Sequence, residues 1–328
     1  MLSAVLCATM AVAMLTGCGA QTSSNSTSNS TEAQMTEATS SATTTQATGD
    51  QAEDVTITHS KGTTEVKANP QKVVVFELGI LDIMDALGVD AELAVPTDSL
   101  TTYLEKYASA TNAGGIKQPD IEGIYNFKPD VIFISGRQGD YYDELNKIAP
   151  TVYVDQSAEN YMEDFENNVR TIAKLFGKQS VAEEKLADIE ALVAEGQKKA
   201  QESGENALVI LTNDGSMSAY GKGSRFGIVH DVLGVPAADD TIEVSTHGQE
   251  ASYEYISKVN PDVLFVIDRT AVVGGDKLAS DTLDNDLVKG TKAGKNNKIV
   301  YLDPETWYLG GAGLTSVKTM IEEIVNGL

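Results

Sequence analysis

Four arginines occur in the 328 residues, against 48 aspartates and glutamates. Three of them fall where a binding site can form: Arg137 in Ile134-Ser135-Gly136-Arg137, Arg269 in Ile267-Asp268-Arg269, and Arg225 in Gly221-Lys222-Gly223-Ser224-Arg225-Phe226. A guanidinium is permanently charged, grips oxyanions with two parallel N–H groups and stacks on aromatic faces. Three of them around one cleft suit a strongly anionic, flat-ringed ligand. Lys117, in the Gly-rich stretch Asn112–Pro119, is a fourth cation that can face the same cleft. Two further groups bear on metal chemistry. His247 lies in the polar loop Ser245-Thr246-His247-Gly248, and Tyr308 follows Trp307 near the C-terminus. An imidazole and a phenolate make a two-point donor set for a trivalent metal. By spacing alone, an ordinary hydrogen-bonded histidine and a core tyrosine describe them as well.

The elements that position these residues are read from an internal repeat. Ile121–Asp140 (IEGIYNFKPDVIFISGRQGD) resembles Tyr253–Asp276 (YEYISKVNPDVLFVIDRTAVVGGD). One offset pairs Pro129 with Pro261, Asp130 with Asp262, Val131 with Val263 and Arg137 with Arg269. Each copy reads as a short helix, a Pro-Asp turn, a buried strand and a loop that begins with arginine. Between the copies stands an unbroken helical pattern over about 180–202, with Leu186, Ile189, Leu192 and Val193 at helical spacing and Ser180 as the expected N-cap. The economical fold is two similar parallel-sheet α/β lobes joined by one long helix, with the ligand cleft between them. Domain boundaries follow: 54–178 for the first lobe, 179–203 for the helix and 204–328 for the second lobe.

Within the first lobe, 55–68 reads as a hairpin with His59 facing solvent. Strands are expected at 72–77, 92–95, 131–135 and 151–154, and helices at 80–88, 100–107, 140–148 and 161–176. In the second lobe, 207–212 starts a strand followed by a second βα unit, because Leu87-Gly88-Val89 and Leu233-Gly234-Val235 match. This puts His230 inside a helix, in a structural role. Later elements are a strand ending at Asp268, a helix at 280–288, a last strand at 298–302 and a terminal helix at 314–325.

The formal charge of −24 argues against nucleic acid and other polyanions as partners. The chain opens with an apolar run ending at Leu15-Thr16-Gly17-Cys18, which reads as a secretory signal over 1–17 with acylation of Cys18; an uncleaved anchor is the alternative. No Lys or Arg precedes that run, a departure from the usual signal. Residues 18–53 are rich in Ser, Thr, Gln and Ala, too poor in large apolar groups to form a core, and are expected to be a disordered tether. The only cysteines are Cys7 and Cys18, so no disulfide is available to the lobes.

The lipoprotein-like start, the paired Pro-Asp-Val segments, the long connecting helix and the terminal WYLGGAGLTSVKTMIEEI together resemble ferric-siderophore-binding lipoproteins. These are periplasmic-type binding proteins with a helical backbone between their lobes. The resemblance covers nearly all of Val55–Leu328 and is closest to the catecholate branch, the enterochelin- and petrobactin-type binders. It implies an extracellular, lipid-anchored monomer on the outer face of the cytoplasmic membrane, delivering its ligand to the permease of an ABC transporter. It further implies that Arg137, Arg225 and Arg269 form the triad that holds the ferric catecholate. His247 and Tyr308 correspond to the residues that complete the iron(III) shell when a siderophore supplies only four donors. Glu122 and Glu254, an aligned pair of the repeat, correspond to the permease-docking carboxylates. No intrinsic cofactor and no catalysis are expected, and the stiff connecting helix predicts only a small closure of the lobes. Haem or cobalamin receptors of the same fold are the alternative ligand classes. A lyase or hydrolase using His247 and Tyr308 is the alternative outside binding, although no G-x-S-x-G, H-E-x-x-H or Walker motif supports it. Three scattered histidines do not make a zinc site.

Overall fold

Val131–Ile134 and Val263–Ile267 carry apolar side chains at successive positions because both faces of each strand are covered, and every one of these residues is buried. The computed structural model describes residues 50–328, which belong to one compact unit. In the first lobe a hairpin, β1 (Val55–His59) and β2 (Gly62–Val66), leads into β3 (Lys72–Val75), α1 (Leu78–Ala86) and β4 (Glu92–Val95). A 3₁₀ helix at Thr102–Tyr107 precedes β5 (Thr111–Asn112) and a small ladder, β6 (Gly114–Gly115) with β7 (Gln118–Pro119). Then come α2 (Ile121–Phe127), β8 (Val131–Ile134), a 3₁₀ helix at Gly136–Tyr141, α3 (Tyr142–Leu145), β9 (Thr151–Tyr153) and α4 (Tyr161–Phe176). The sheet order is β5-β4-β3-β8-β9, parallel throughout.

The connecting helix α5 spans Gln179–Ser203. Ser180 does not cap it; Lys178 holds the cap position without a side-chain bond. Asp50 instead accepts from the Ser180 backbone N–H and, at 2.9 Å, from its hydroxyl. The segment 50–53, at the end of the expected tether, therefore lies against the start of α5. Cys18 and the rest of that tether, with the signal segment, lie outside the described residues.

The second lobe contains β10 (Ala207–Asn213), β11 (Ser216–Tyr220), β12 (Gln249–Glu250), α6 (Tyr253–Val259), β13 (Val263–Asp268) and α7 (Arg269–Val273). It continues through α8 (Ala279–Thr282), α9 (Asp286–Lys289), α10 (Lys292–Lys295), β14 (Ile299–Leu302) and α11 (Leu314–Gly327). Its sheet order is β12-β11-β10-β13-β14, with β10, β13 and β14 parallel and β11 and β12 antiparallel.

The expected second βα unit is thus a hairpin. Asn213 pairs with Ser216 across Asp214-Gly215, both at positive φ (49° and 87°), the geometry of a type I′ turn. The Asp-Gly dipeptide between two apolar runs carried that signal. The matching Leu-Gly-Val lies in a loop beyond the 3₁₀ turn Gly227–Val229 rather than at the end of a helix, and His230, just after that turn, is buried with Nδ1 2.8 Å from the Val235 carbonyl. The expected helix at 100–107 is a 3₁₀ helix over Thr102–Tyr107, and the one at 140–148 is the α-helix Tyr142–Leu145, preceded by a 3₁₀ helix. His59 is not solvent-facing: its Nε2 lies 2.9 Å from Thr64 Oγ1 and the side chain is buried.

One apolar core runs through both lobes. It joins Leu81 and Met84 of α1, Phe165 of α4, Ile189 of α5 and Ile321 of α11 to Val209 and Phe265 of the second sheet. Each such fully buried side chain contributes roughly 1.5–3 kcal/mol. Separate clusters cover the outer face of each sheet. Because α11 packs on both α5 and α1, the lobes meet through side chains as well as through the covalent link.

Candidate functional site

Tyr308 stands at the centre of the cleft on a π-helical turn, Glu305–Gly310. Such turns displace one residue from helical register and present it outward. The turn is fixed from inside: buried Trp307 donates from Nε1 to Glu323 at 2.7 Å, and Glu323 also accepts from the Asp303 backbone at 3.0 Å. With Trp307 held inward, Tyr308 remains half-buried in the cleft.

All three arginines converge on it. Arg269, the first residue of α7, donates from Nε to the Tyr308 hydroxyl at 2.6 Å and from Nη1 to Asn213. Arg137, just after β8 in the other lobe, donates to the backbone carbonyls of Tyr308 at 2.8 Å and Leu309 at 3.4 Å. Arg225 donates to the Tyr308 carbonyl at 3.4 Å and lies over the rings of Phe226 (4.8 Å) and Tyr308 (5.0 Å). Arg269 sits over the Tyr308 ring at 5.2 Å. Burial alone raises the Tyr308 phenol, but the Arg269 bond and the charges of Arg269, Arg225 and Arg137 outweigh it. The hydroxyl therefore titrates below the ordinary tyrosine value.

Among the described residues these guanidinium groups have no carboxylate within salt-bridge distance, whereas Arg170 pairs with Glu166 and Glu183 on the outer surface. Three cations left facing one another and one phenol are electrostatically incomplete, and an anion completes them.

The cleft has two compartments that share Arg137, Tyr308 and Leu309. One, of about 750 Å³, is lined by Arg225, Tyr153, Ser245 and Thr246. The other, of about 640 Å³, contains Arg269 and Lys117. Lys117 is exposed in the β6–β7 turn, which buried Gln138 ties to the Arg137 segment by donating to the Ile116 carbonyl while accepting from Ser135 N–H at 3.0 Å. Sequence reasoning missed Gln138, since nothing about an isolated glutamine marks it as buried. A third groove, about 530 Å³ between α4, α5 and Ile228, is lined by Glu159, Glu163, Glu183 and Glu190, with Arg170 as its one arginine.

His247 is not brought to Tyr308. Its side chain is exposed on the turn Ser245–Gly248, where Gly248 N–H reaches the Ser245 carbonyl (3.2 Å) and the Ser245 hydroxyl reaches the Gly248 carbonyl (2.9 Å). Its neighbours Ser245 and Thr246 line the cleft, so the loop, rather than the imidazole, borders the site. Glu122 and Glu254 are exposed in the first turns of α2 and α6. They occupy equivalent places because Asp120 and Ser252 cap the two helices in the same way.

The periplasmic binding protein family matches residues 73–306. The chain belongs to this family. It is similar to the petrobactin-binding protein YclQ of Bacillus subtilis, with 45% identity over 84% of this chain and 89% of that protein. The crystal structure of YclQ superposes with a TM-score of 0.81 at 44% identity, covering 84% of this chain and 98% of the other. The ferric-anguibactin-binding protein FatB of Vibrio anguillarum is 38% identical over 83% of this chain and 87% of its own length. The siderophore-binding protein BauB, solved with two acinetobactin molecules and ferric iron, gives a TM-score of 0.77 at 34% identity, covering 84% of this chain and 98% of BauB. No helix among the described residues is long and apolar enough to cross a membrane.

Proposed function

We propose that this binding protein captures a ferric siderophore of catecholate type, in the petrobactin-like class, and delivers it to an ABC permease for iron uptake. The observation that carries the reading is the convergence of Arg137, Arg225 and Arg269 on Tyr308 without carboxylate partners. Removing a multiply charged ferric catecholate from water is costly unless cations replace its hydration. Three guanidinium groups supply charge and N–H donors, and two of them lie over an aromatic ring. The names of YclQ, FatB and BauB place siderophores with the relatives, which supports the same ligand class here.

When a ligand supplies only four oxygens, two positions on iron stay open. Tyr308 is the phenolate for one of them, since its arginine neighbours already favour loss of the proton. His247 is the donor for the other, brought inward by movement of the 245–248 turn. Lys117 adds charge to the Arg269 compartment. Glu122 and Glu254 present one carboxylate per lobe to the permease. Lipid attachment at Cys18 keeps the receptor at the outer face of the membrane.

The test is a titration of residues 50–328 with iron(III) complexes of a bis-catechol and of a tris-catechol, read by Trp307 quenching and the visible charge-transfer band. Tight quenching by both is expected, with a band shift for the bis-catechol that disappears in Tyr308→Phe. Quenching without a mutant-sensitive shift removes Tyr308 from the iron shell and keeps the receptor. No quenching by either complex overturns the reading, and haem is then the next ligand to titrate.

A further inference from the structure

The segment Glu305–Ser316 belongs covalently to the second lobe, yet its backbone is held by the first. At its C-terminal end, the buried Asp82 of α1 caps the first turn of α11 across the lobe boundary. Its carboxylate accepts from Thr315 N–H at 3.0 Å, Ser316 N–H at 2.8 Å and the Ser316 hydroxyl at 2.9 Å. Ser316 Oγ in turn accepts from Gly313 N–H at 2.9 Å. At the N-terminal end the arrangement is reversed. Glu305 of the second lobe accepts from the Thr102 backbone at 2.5 Å and the Thr102 hydroxyl at 3.1 Å, at the start of a first-lobe 3₁₀ helix. Between these ends Tyr161 donates to the Gly311 carbonyl and Arg137 to those of Tyr308 and Leu309.

Packing leaves the joint no slack. A Cβ at Gly79 of α1 lies 2.9 Å from the Ala312 carbonyl carbon, and one at Gly313 collides with the Asp82 carboxylate. Only glycine allows so close an approach of backbone to backbone. The Tyr308 side chain points the other way, bonded to Arg269 of its own lobe. The phenol is therefore fixed by two bodies at once, its backbone by the first lobe and its hydroxyl by the second.

We propose that Asp82 is a positioning residue for Tyr308: by capping α11 across the boundary it sets how the lobes meet and where the phenol stands in the cleft. Asp82 is buried beneath the joint and does not line the cleft, so it acts through α11 and the Tyr308 segment. The carboxylate is matched to its partners, because an isosteric amide turns an N–H toward donors. The inference rests on the reading of Tyr308 as an iron donor, and its test has one arm that needs no ligand.

Residues 50–328 contain no cysteine, so Asn126→Cys and Lys258→Cys, both at exposed positions, place one spin label on each lobe. In ligand-free protein the inter-label distance distribution is expected to broaden in Asp82→Asn, and less so in the milder Ser316→Ala, which retains the carboxylate. In the ligand arm, affinity for the ferric bis-catecholate is expected to fall roughly tenfold in Asp82→Asn. Affinity for the tris-catecholate, which needs no donor from Tyr308, is expected to hold, and Asp82→Asn should add nothing in a Tyr308→Phe background. A wild-type distance distribution in both variants overturns the proposal, as does an equal loss for the two complexes. If wild-type protein binds neither complex, the siderophore reading is what fails, and the distances alone decide whether Asp82 sets the lobe geometry.

Discussion

The two copies of the repeat agree closely up to the end of their strand and then part. Asp120 and Ser252 cap their helices, Ile124 and Ile256 are buried, and Lys128 and Asn260 end the helices at φ 56° and 51°. Asp130 accepts from the backbone of Gln71 and Lys72 at the entry to β3, and Asp262 from that of Asn206 at the entry to β10. Beyond the strand the arginines have different work. Arg137 reaches across the cleft to backbone carbonyls, whereas Arg269 stays in its own lobe and bonds Asn213 and the Tyr308 hydroxyl. Duplication supplies equivalent positions, and the surface each one faces decides its chemistry.

The largest expected effect tests that divergence. Arg137→Met and Arg269→Met should each weaken ferric catecholate binding by about a hundredfold, or about 2.7 kcal/mol, in a quenching titration. Both variants should raise the Tyr308 phenol toward the ordinary tyrosine value, Arg269→Met more than Arg137→Met because it removes a hydrogen bond as well as a charge, measured by ultraviolet titration against a Tyr308→Phe reference. Equal shifts from both variants remove the distinction between the two arginines.

A second difference lies where the matching Leu-Gly-Val segments align Met84 of α1 with His230. Burial holds the imidazole below the ordinary histidine value. A depressed histidine contributes stability that is complete above the unfolded value of about 6.5 and is lost as pH falls through the folded one. Chemical denaturation between pH 7.5 and 5 should show this loss, and His230→Met, which copies the first lobe, should flatten the slope. An unchanged slope in the variant assigns the acid sensitivity elsewhere.

The smallest effect concerns the left-handed helix ends. Lysine is strained at positive φ while asparagine tolerates it. Lys128→Gly is expected to stabilise the protein by about 0.5 kcal/mol, and Asn260→Gly by less or not at all, in urea denaturation. The reverse order would show that the Lys128 side chain has a compensating contact.

The repeat, the connecting helix and the cleft arginines were legible because they rest on local signals: apolar runs, a Pro-Asp turn, and arginine just past a strand. The Asp-Gly dipeptide at 214–215 also carries a hairpin signal, whereas the matching Leu-Gly-Val segments mislead: one follows α1, and the other lies in a loop beyond the 3₁₀ turn at Gly227–Val229. His59 is buried where alternation suggests solvent, because strand alternation says which residues share a face and not what packs on it; here Tyr142 and Thr64 cover the imidazole.

The sequence alone determined two α/β lobes, their order, the scarcity of arginine in an acidic chain and the three positions where it faces a cleft. Those follow from periodicity and charge, which are properties of neighbouring residues. Only the tertiary structure decided that all three arginines meet at Tyr308, that His247 stands outside their contact, and that Asp82 caps a helix more than 200 residues away in the chain. Such pairings depend on which surfaces the folded core brings together, and no short stretch of sequence encodes the partner at the other end.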